Sequence, residues 1–313
     1  MIQTASGPRE TKLAEAQEIE VFCASDVHYL PHAATMLCSL LEHNSVSQIH
    51  LVYSDVPFSE LAKLKSMVEA YKGKIEFYEV DPSDVGDLRV DKWASVAVYY
   101  RLLAPRLLPD NIIKILYLDC DLIVRRSLKS LWETNITGFA LAAVSNFEDN
   151  ARKALGLPDG TKYFNSGVLL INLQFWRENK VLDHAISFLK NNPEKVQYWD
   201  QDALNATLTH QWIELPVHWN WQDWLSSIRT AKNPAIVHFI AGDKPWHWSN
   251  SHPFKSEYRK YRLKTPWWRY REEGQPGVLR RTTVGLRSLV RATLPSGVRQ
   301  WLRSLGSNFR PGA

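Results

Sequence analysis

Short apolar segments of strand length alternate along this chain with segments in which apolar residues recur at helical spacing. At the start of the chain the strand-like segments are 19–24, 49–53 and 75–80, and the helix-like segments are 31–43 and 57–71. Strands and helices that alternate in this way form parallel sheets whose faces the helices cover. The pattern therefore predicts an α/β fold with a mostly parallel sheet. Asp26, just after the first strand, lies at the sheet edge where such folds bind ligands.

The alternation continues to about residue 240. Further helices are predicted over 96–104, ending before Pro105, and over 127–133, 181–190 and 203–208, with strands over 139–144, 163–173 and 235–240. Asp200 is a candidate N-cap of the helix over 203–208. Gly167 lets another group approach the backbone closely. A chain of 313 residues with 45% hydrophobic content can form one large domain with appendages or two modest domains.

The run 113–124 is apolar enough to be a strand buried on both faces, yet it contains Asp119 and Asp121 near its end. Two carboxylates separated by one residue at the end of a strand can face one cavity and share a hard divalent cation. The alternative is that both acids begin a solvated turn. The buried run before them and their place at the carboxyl end of a strand favour a metal site.

Cysteine usage and terminal composition limit the class of protein. The three cysteines, Cys23, Cys38 and Cys120, form no C-x-x-C pair, and the polar residues before the first strand contain no apolar signal segment. No apolar run approaches the roughly 20 residues that span a bilayer. We therefore expect a cytoplasmic protein with a flexible lead-in over 1–17 and a main domain over 18–273.

Basic charge is concentrated in a predicted amphipathic tail over 274–313. No Asp or Glu follows Glu273, whereas arginines recur to the end of the chain. Apolar residues such as Val284, Leu289 and Trp301 lie among these arginines, which predicts contact with an anionic membrane surface. The alternatives are a helix packed on the domain and a disordered basic end. Nucleic acid is a weaker candidate, because the tail contains no recognised binding module.

Six motifs together carry a family resemblance. They are Phe22-Cys-Ala-Ser-Asp26-Val-His-Tyr29, Tyr100-Arg101-Leu102, Leu116-Tyr-Leu-Asp-Cys-Asp121, Tyr163-Phe-Asn-Ser-Gly-Val-Leu-Leu-Ile-Asn172, Asp200-Gln-Asp-Ala-Leu-Asn205 and the segment 238–246. In this order the chain resembles the bacterial family 8 glycosyltransferases, the galactosyl- and glucosyltransferases of lipopolysaccharide assembly that are related in fold to glycogenin. The resemblance covers about residues 18–268 and implies a GT-A fold, an α/β domain with a Rossmann-like nucleotide-binding half.

The resemblance also implies a reaction and a metal centre. The donor would be a UDP-hexose, whose galactose or glucose passes with retention to a saccharide or glycolipid acceptor. Asp119, Asp121 and His238 match the family's ligands for Mn²⁺ or Mg²⁺, and Lys244 matches its phosphate contact. The alternatives are a hydrogen-bonded core histidine and a solvated lysine. A membrane-borne acceptor would place the enzyme peripherally on the inner face of the cytoplasmic membrane.

The remaining donor contacts are also implied by the resemblance. Asp26 and Tyr29 match positions that hold the uracil, Ala24 packs nearby, and Cys120 would lie along the ribose. The residues that match positions around the donor sugar are Arg101, Asn165, Ser166, Asp200 and Gln201. The alternative for this second group is ordinary helix capping and core hydrogen bonding.

This sequence departs from the family at several positions. It has His28 where relatives often have Asn, and Asn146 where relatives place an acid that contacts the acceptor. The family's glycine three residues after the histidine is Ala241 here, and Gly242, one place later, is assigned to the phosphate loop. Acceptor identity is therefore not carried over from the resemblance.

The candidate catalytic residues are Asp200, Gln201 and Lys244, although none is an evident nucleophile. Gln201 lies where the family presents an amide to the reacting face of the sugar, and an amide is a poor nucleophile and cannot act as a general base. We therefore predict a same-face displacement in which the departing phosphate takes the acceptor's proton. Two other functions stay open, a nucleotidyltransferase acting on a sugar phosphate and a non-catalytic UDP-sugar-binding protein. Against the first, no glycine-rich basic triphosphate loop lies near the start of the chain.

Overall fold

A computed structural model of the protein describes residues 19–86, 88, 90, 95–146, 148–222, 233–240 and 242–275. The lead-in predicted for 1–17 lies outside these residues, as does the predicted tail beyond residue 275. Within the described ranges, no helix combines the length and the apolar composition that crossing a membrane requires.

Two sheets organise the described chain. The strands of the larger one are β1 (Ile19–Ser25), β2 (Val46–Tyr53), β3 (Ile75–Glu79), β4 (Lys114–Leu118), β6 (Leu141–Asn146), β7 (Tyr163–Asn172) and β8 (Trp212–Glu214), and those of the smaller one are β5 (Leu122–Val124), β9 (Trp221–Gln222) and β10 (Ile236–His238). The larger sheet has the order β3-β2-β1-β4-β7-β6-β8. In it β7 is antiparallel to both neighbours, while the other pairs are parallel. This confirms the predicted α/β fold with a mostly parallel sheet.

Helices connect and cover these strands. The α-helices are α1 (Leu30–His43), α2 (Phe58–Ala70), α3 (Ala104–Leu107), α4 (Lys129–Trp132), α5 (Asp149–Ala154), α6 (Leu173–Glu178), α7 (Val181–Asn191), α8 (Trp199–Thr207) and α9 (Lys255–Arg262), with 3-10 helices at Pro82–Val85, Val96–Leu103 and Val217–Trp219. In α7, Val181, Ala185 and Leu189 recur every four residues and are buried in the main core. The core also contains Tyr117 of β4 and Leu204 of α8, so it fixes α8 relative to the sheet.

The prediction of a single strand over 113–124 is wrong. The chain forms β4 in the larger sheet, turns at Asp119 to Asp121, and forms β5 in the smaller sheet. The N–H of Asp119 still donates to the carbonyl of Gly167 in β7 at 2.9 Å before the chain turns away. A strand buried on both faces cannot solvate carboxylates, so the turn lets both acids leave the ladder. The acidic pair consequently lies where the two sheets meet.

Two helix predictions also differ from the structure. The helix predicted to end before Pro105 is a 3-10 helix that passes directly into α3, with Pro105 in the first turn of α3. Proline is tolerated there because the first N–H groups of a helix have no internal partner. Asp200 is not an N-cap, since Tyr198 occupies that position and Asp200 lies buried in the first turn of α8.

The chain divides into two compact units. The first contains the described residues up to Pro245 and from Asn250 to Tyr270, and with them both sheets and every predicted site residue. Among the described residues, the second contains 246–249 and 271–275. In its described part, the N–H of Trp248 donates to the carbonyl of Glu273 at 2.8 Å. The boundaries predicted at residues 18 and 273 stay a prediction.

Candidate active site

The pairing of the smaller sheet places His238 beside the acidic turn. β10 runs antiparallel to β5, with His238 opposite Leu122, the residue that follows Asp121. Just beyond the strand, the N–H of Phe239 donates to the carbonyl of Asp121 at 2.9 Å. Strand register therefore brings an imidazole to carboxylates that lie more than a hundred residues earlier in the chain.

Three side-chain atoms converge at this turn. His238 Nε2 lies 3.1 Å from Oδ1 of Asp121 and 3.7 Å from Oδ2 of Asp119. One ligand atom from each of the three residues lies within 4.8 Å of the others. His238 is buried, whereas both acids are partly exposed, so the cluster is open to a ligand on the acid side.

In both Asp119 and Asp121, one carboxylate oxygen faces His238 and the second oxygen lies beside a positively charged side chain of the protein. Arg101 lies 3.0 Å from Oδ1 of Asp119, and Lys244 Nζ lies 2.6 Å from Oδ2 of Asp121. Burial disfavours ionisation of Asp121, but Lys244 and His238 outweigh it and hold the pKa of Asp121 below its ordinary value. Each acid thus turns one oxygen to a protein cation and the other toward the histidine.

The donor set and its spacing suit a hard divalent cation. Ligands that bind an octahedral ion at roughly 2.1 Å lie roughly 3 Å from one another, close to the separation of His238 and Asp121. Mn²⁺ and neighbouring metals accept carboxylate oxygen and imidazole nitrogen together. Gly167 leaves the required space, because a Cβ there would lie 2.2 Å from Cε1 of His238 and 2.7 Å from Oδ2 of Asp119. The predicted close approach to Gly167 is confirmed.

Arg101 connects this cluster to the start of α8. Its Nε lies 2.9 Å from Oδ2 of Asp200, and its Nη1 donates to the carbonyl of Ser166 at 2.6 Å. Burial raises the pKa of Asp200 to about 7; Arg101 acts against this rise, and the charge of Asp119 adds to it. One guanidinium is therefore shared by two carboxylates, and the pKa of the buried one, Asp200, is raised.

A set of amide hydrogen bonds surrounds Gln201. The side-chain amide of Asn165 and the backbone N–H of Ser166 both donate to Gln201 Oε1, each at 3.0 Å. Gln201 Nε2 donates to the hydroxyl of Tyr163 at 3.0 Å, and that hydroxyl donates to Asp202 at 2.6 Å. Both lone pairs of the Gln201 carbonyl are therefore in use. The side chain can offer a ligand only its second amide hydrogen.

The residues predicted to hold uracil and ribose lie at the end of β1. Oδ1 of Asp26 accepts the N–H of Tyr29 at 2.9 Å in the turn that leads into α1. The thiol of Cys120 donates to the carbonyl of Ala24 at 3.0 Å, which joins this turn to the acidic turn. Burial, together with the charges of Asp121 and Asp26, raises the pKa of Tyr29.

Some predicted features lie at the margin of this arrangement. Gly242 is exposed, and Ala241 lies outside the described residues. Asn146 is buried at the end of β6. Two positions later, burial raises the pKa of Glu148, which accepts a hydrogen bond from the hydroxyl of Tyr198 at 3.2 Å. An acid is thus present beside the position where the resemblance expects one.

Sequence reasoning did not identify several residues that complete this network, namely Tyr117, Tyr163, Asp202 and Asn220. Tyr117 donates to Oδ1 of Asp119 at 2.7 Å. Asn220 has no exposed surface, and its Oδ1 lies 3.0 Å from Nδ1 of His238. Its place between Trp219 and Trp221 is a signal that sequence analysis could have used, because a polar residue inside an aromatic segment needs a partner when buried.

Sequence comparisons agree with the geometry. A family model described as glycosyl transferase family 8 matches residues 20–249. General stress protein A of Bacillus subtilis (strain 168) is 32% identical over 268 residues, which are 79% of this chain and 93% of that protein. Lipopolysaccharide 1,2-glucosyltransferase of Escherichia coli (strain K12) is 27% identical over 262 residues, which are 77% of either chain. The family match thus includes both candidate metal-binding segments.

Solved structures share the fold. The galactosyltransferase LgtC in complex with donor and acceptor sugar analogues matches with a TM-score of 0.73 at 22% identity, over 84% of this chain and 99% of that one. The glycosyltransferase GlyE of Streptococcus pneumoniae TIGR4 matches with a TM-score of 0.64 at 25% identity, over 82% of this chain and 66% of that one. The fold is GT-A, as predicted. The chain belongs to glycosyltransferase family 8 and is a glycosyltransferase.

Proposed function

We propose that this enzyme moves galactose or glucose from a UDP-hexose to a saccharide or glycolipid acceptor, with retention at the anomeric carbon and with Mn²⁺ or Mg²⁺ as cofactor. The observation that carries the proposal is the convergence of Asp119, Asp121 and His238 beside the ammonium of Lys244. Transfer from a diphosphate requires that the negative charge of the departing UDP be neutralised. The convergent residues would hold a divalent cation that supplies positive charge, and the adjacent ammonium of Lys244 adds to it.

Charge neutralisation is divided between a cofactor and the protein. A bound divalent cation acts as a Lewis acid on the diphosphate, and Asp119, Asp121 and His238 would hold it. Lys244 contributes a fixed positive charge, since its Nζ lies 2.6 Å from Asp121 and donates to the carbonyl of Phe239 at 2.7 Å. Because this ammonium is already oriented, it stabilises developing charge without the reorganisation that water requires.

The nucleoside end of the donor would bind at the turn after β1. The Asp26 carboxylate, whose Oδ1 is oriented by the N–H of Tyr29, would accept the imide N–H of uracil, against which the Tyr29 ring would pack. Ala24 would pack near the uracil, and the ribose would lie along Cys120, whose thiol donates to the Ala24 carbonyl at 3.0 Å. In this arrangement the phosphates of a nucleoside diphosphate would reach Asp121, the residue that follows Cys120.

The donor sugar would lie against Arg101 and the start of α8. Asp200, with its raised pKa, can both accept and donate hydrogen bonds near neutral pH, which suits a sugar hydroxyl. Asn165, Ser166 and the free amide hydrogen of Gln201 complete a polar wall. Galactose and glucose differ in the direction of one hydroxyl, so a few of these bonds decide between them.

The hydrogen bonds of Gln201, and the ion pair and raised pKa of Asp200, support same-face displacement over a covalent intermediate. The Gln201 carbonyl has no free lone pair, and Asp200 is held by Arg101 and is easily protonated. In the proposed step the bond from the anomeric carbon to the UDP oxygen breaks as the acceptor oxygen bonds to the same face. The departing phosphate takes the acceptor's proton. A mass increase of one hexose on Asp200 or Gln201, found after incubation with donor alone, would overturn this step.

The acceptor also determines where the enzyme would act. The similarity to a lipopolysaccharide glucosyltransferase supports a cell-surface saccharide or glycolipid acceptor. Such an acceptor is membrane-borne, so we place the enzyme on the inner face of the cytoplasmic membrane, with the basic tail against anionic lipid.

A donor panel tests the proposal. The protein is incubated with UDP-galactose, UDP-glucose and other UDP-hexoses, with Mn²⁺, with Mg²⁺ or with a chelator, and released UDP is measured with and without lipopolysaccharide acceptors. We expect metal-dependent UDP release from one of the two named donors. Release of pyrophosphate from UTP and a sugar phosphate would instead indicate nucleotidyl transfer. Metal-dependent binding of a UDP-sugar without turnover on any acceptor would indicate a binding protein.

A further inference from the structure

Both ring nitrogens of His238 face hydrogen-bonding partners, so the position of its proton matters. Nε2 faces the carboxylates of Asp119 and Asp121, and Nδ1 lies 3.0 Å from Oδ1 of Asn220. A neutral imidazole carries one proton, and only the nitrogen without it can bind a metal ion. The hydrogen-bond partners of the ring therefore decide whether Nε2 is available as a ligand.

The backbone N–H of Gly167 determines how the side-chain amide of Asn220 is oriented. The N–H of Gly167 can only donate, and it lies 3.0 Å from Oδ1 of Asn165, which identifies that atom as an acceptor. Asn220 Nδ2 donates to the same oxygen at 2.8 Å. If the Asn220 amide were reversed, two carbonyl oxygens would face each other in a buried site. Asn220 therefore turns its nitrogen to Asn165 and its oxygen to His238.

We propose that Asn220 is a positioning residue that keeps the proton on Nδ1 of His238 and so leaves the Nε2 lone pair directed at the candidate metal site. Its Oδ1 can only accept, so Nδ1 must donate to it. Metal-binding histidines commonly donate their second ring N–H to such a partner, which fixes the ring and its proton. The inference rests on the proposed function in taking His238 as a metal ligand.

The same network reaches the residue predicted to face the donor sugar. Asn165 accepts from Gly167 and Asn220 with its oxygen and donates to Gln201 with its nitrogen at 3.0 Å. A second backbone donor, the N–H of Ser166, lies 3.0 Å from the same oxygen of Gln201 and fixes the orientation of that amide too. Asn220 thus joins the metal-binding imidazole to the sugar-facing amide through one intermediate.

The side chain of Asn220 has no solvent to replace these partners, since its exposed fraction is 0%. Removing it leaves Nδ1 of His238 without an acceptor and returns the ring to free exchange between its two neutral forms. An aspartate keeps the acceptor for Nδ1 of His238 but replaces the donor to Asn165 with an oxygen that faces Oδ1 of Asn165. The two substitutions Asn220→Leu and Asn220→Asp therefore separate the proton-fixing role from the link to Gln201.

Two measurements on the full chain test the inference. First, two-bond ¹H–¹⁵N NMR of the metal-free protein, labelled at histidine and assigned by loss of the signal in H238Q, reports which nitrogen of His238 carries the proton. We expect Nδ1 to carry a proton in the wild type and in N220D, whether or not Nε2, which faces the carboxylates, carries one as well. In N220L we expect the proton on Nδ1 to be present for a smaller fraction of the time. Second, Mn²⁺ affinity without donor is measured by the electron paramagnetic resonance of free Mn²⁺. We expect N220L to bind about 10- to 100-fold more weakly, and N220D to stay close to the wild type.

A matched control is Asn172→Ala. Asn172 caps α6 by accepting the N–H of Phe175 at 3.0 Å and lies outside the site, so its loss lowers the melting temperature but leaves Mn²⁺ affinity unchanged. A wild-type His238 without a proton on Nδ1 would overturn the inference, as would wild-type Mn²⁺ affinity in N220L. The NMR result on the wild type decides the matter even if N220L does not fold. A wild type that carries the proton on Nδ1 but binds no Mn²⁺ would support the positioning role and contradict the proposed metal dependence.

Discussion

His238 Nε2 lies 3.1 Å from Oδ1 of Asp121, although the two residues are 117 positions apart in the chain. The other oxygen of the same carboxylate lies 2.6 Å from the ammonium of Lys244. Asp121 is therefore held between an imidazole and a cation, which is the arrangement that keeps it ionised and available. Substitutions at these residues have different expected consequences, because one group attracts a metal ion and another competes with it.

Asp121→Asn is expected to lower metal affinity more than any substitution outside the ligand set. Loss of an outer partner of a metal ligand typically costs about 10- to 100-fold in affinity, so loss of a ligand carboxylate is expected to exceed about 100-fold. Mn²⁺ titration without donor measures the effect. Asp183→Asn, on the exposed face of α7, is the control with the same change of charge. Equal Mn²⁺ affinity in the two variants would contradict the assignment.

Gly167→Ala is expected to disturb the ligands directly. The added Cβ would lie 2.2 Å from Cε1 of His238, so the ring must move, at a cost of about 1–3 kcal/mol in stability and with loss of Mn²⁺ affinity. Gly156→Ala is the control, because Gly156 has φ of +72° and no neighbour within 4 Å of an added Cβ. It loses roughly 1–2 kcal/mol from backbone strain alone. Urea unfolding and Mn²⁺ titration together separate the two variants, and equal effects on metal binding would contradict the prediction.

Lys244→Gln is expected to change metal affinity and turnover in opposite directions. Removing the ammonium beside Asp121 makes the site more negative, so Mn²⁺ binds more tightly when no donor is present. The same change removes charge stabilisation from the departing UDP, and kcat falls by about 10²–10³. Lys129→Gln, at an exposed position on α4, should alter neither quantity. A parallel loss of metal affinity and kcat would contradict the proposed role.

Asp200→Asn is expected to remove a pH dependence of stability. The pKa of Asp200 is about 7 in the folded protein against 3.8 ordinarily, so between these values the folded state binds more protons than the unfolded state. The free energy of unfolding therefore falls as pH rises from about 4 to 7. The whole effect is about 4 kcal/mol, since a pKa change of 1 corresponds to about 1.4 kcal/mol. Urea unfolding at pH 5 and pH 8 measures the effect. The free energy of unfolding of the wild type should fall relative to that of the variant as pH rises. An unchanged difference would contradict the raised pKa.

A chain that ends at Gln275 is expected to keep its activity on soluble acceptors and to lose binding to anionic vesicles. The arginines and apolar residues predicted to lie at the membrane surface all come after this residue. Co-sedimentation with vesicles that contain phosphatidylglycerol measures the difference, with neutral vesicles as the control. Equal sedimentation of the full and shortened chains would contradict anchoring by the tail.

Much of the fold could be predicted because its signals are local. The period of the apolar residues identified β1, α1, β2, α2 and β3 in order, and their alternation predicted the mostly parallel sheet. The break of 113–124 into two strands was missed, since an apolar run has the same appearance whether or not its strands share a sheet. Pro105 was misjudged because a proline can either end a helix or occupy the first turn of the next one.

By itself, the sequence determined the kinds of chemistry available: two acids at the end of a buried strand, a histidine on a short strand and a lysine after it, in an order that resembles one family. Tertiary structure alone decided which of these groups touch. In the folded chain Arg101 pairs with both Asp119 and Asp200, and the Gln201 carbonyl accepts two hydrogen bonds. Asn220 lies 3.0 Å from Nδ1 of His238. The physical reason is that spacing along the chain governs contacts within a helix or strand, whereas strand order and register govern contacts between residues that are far apart in sequence.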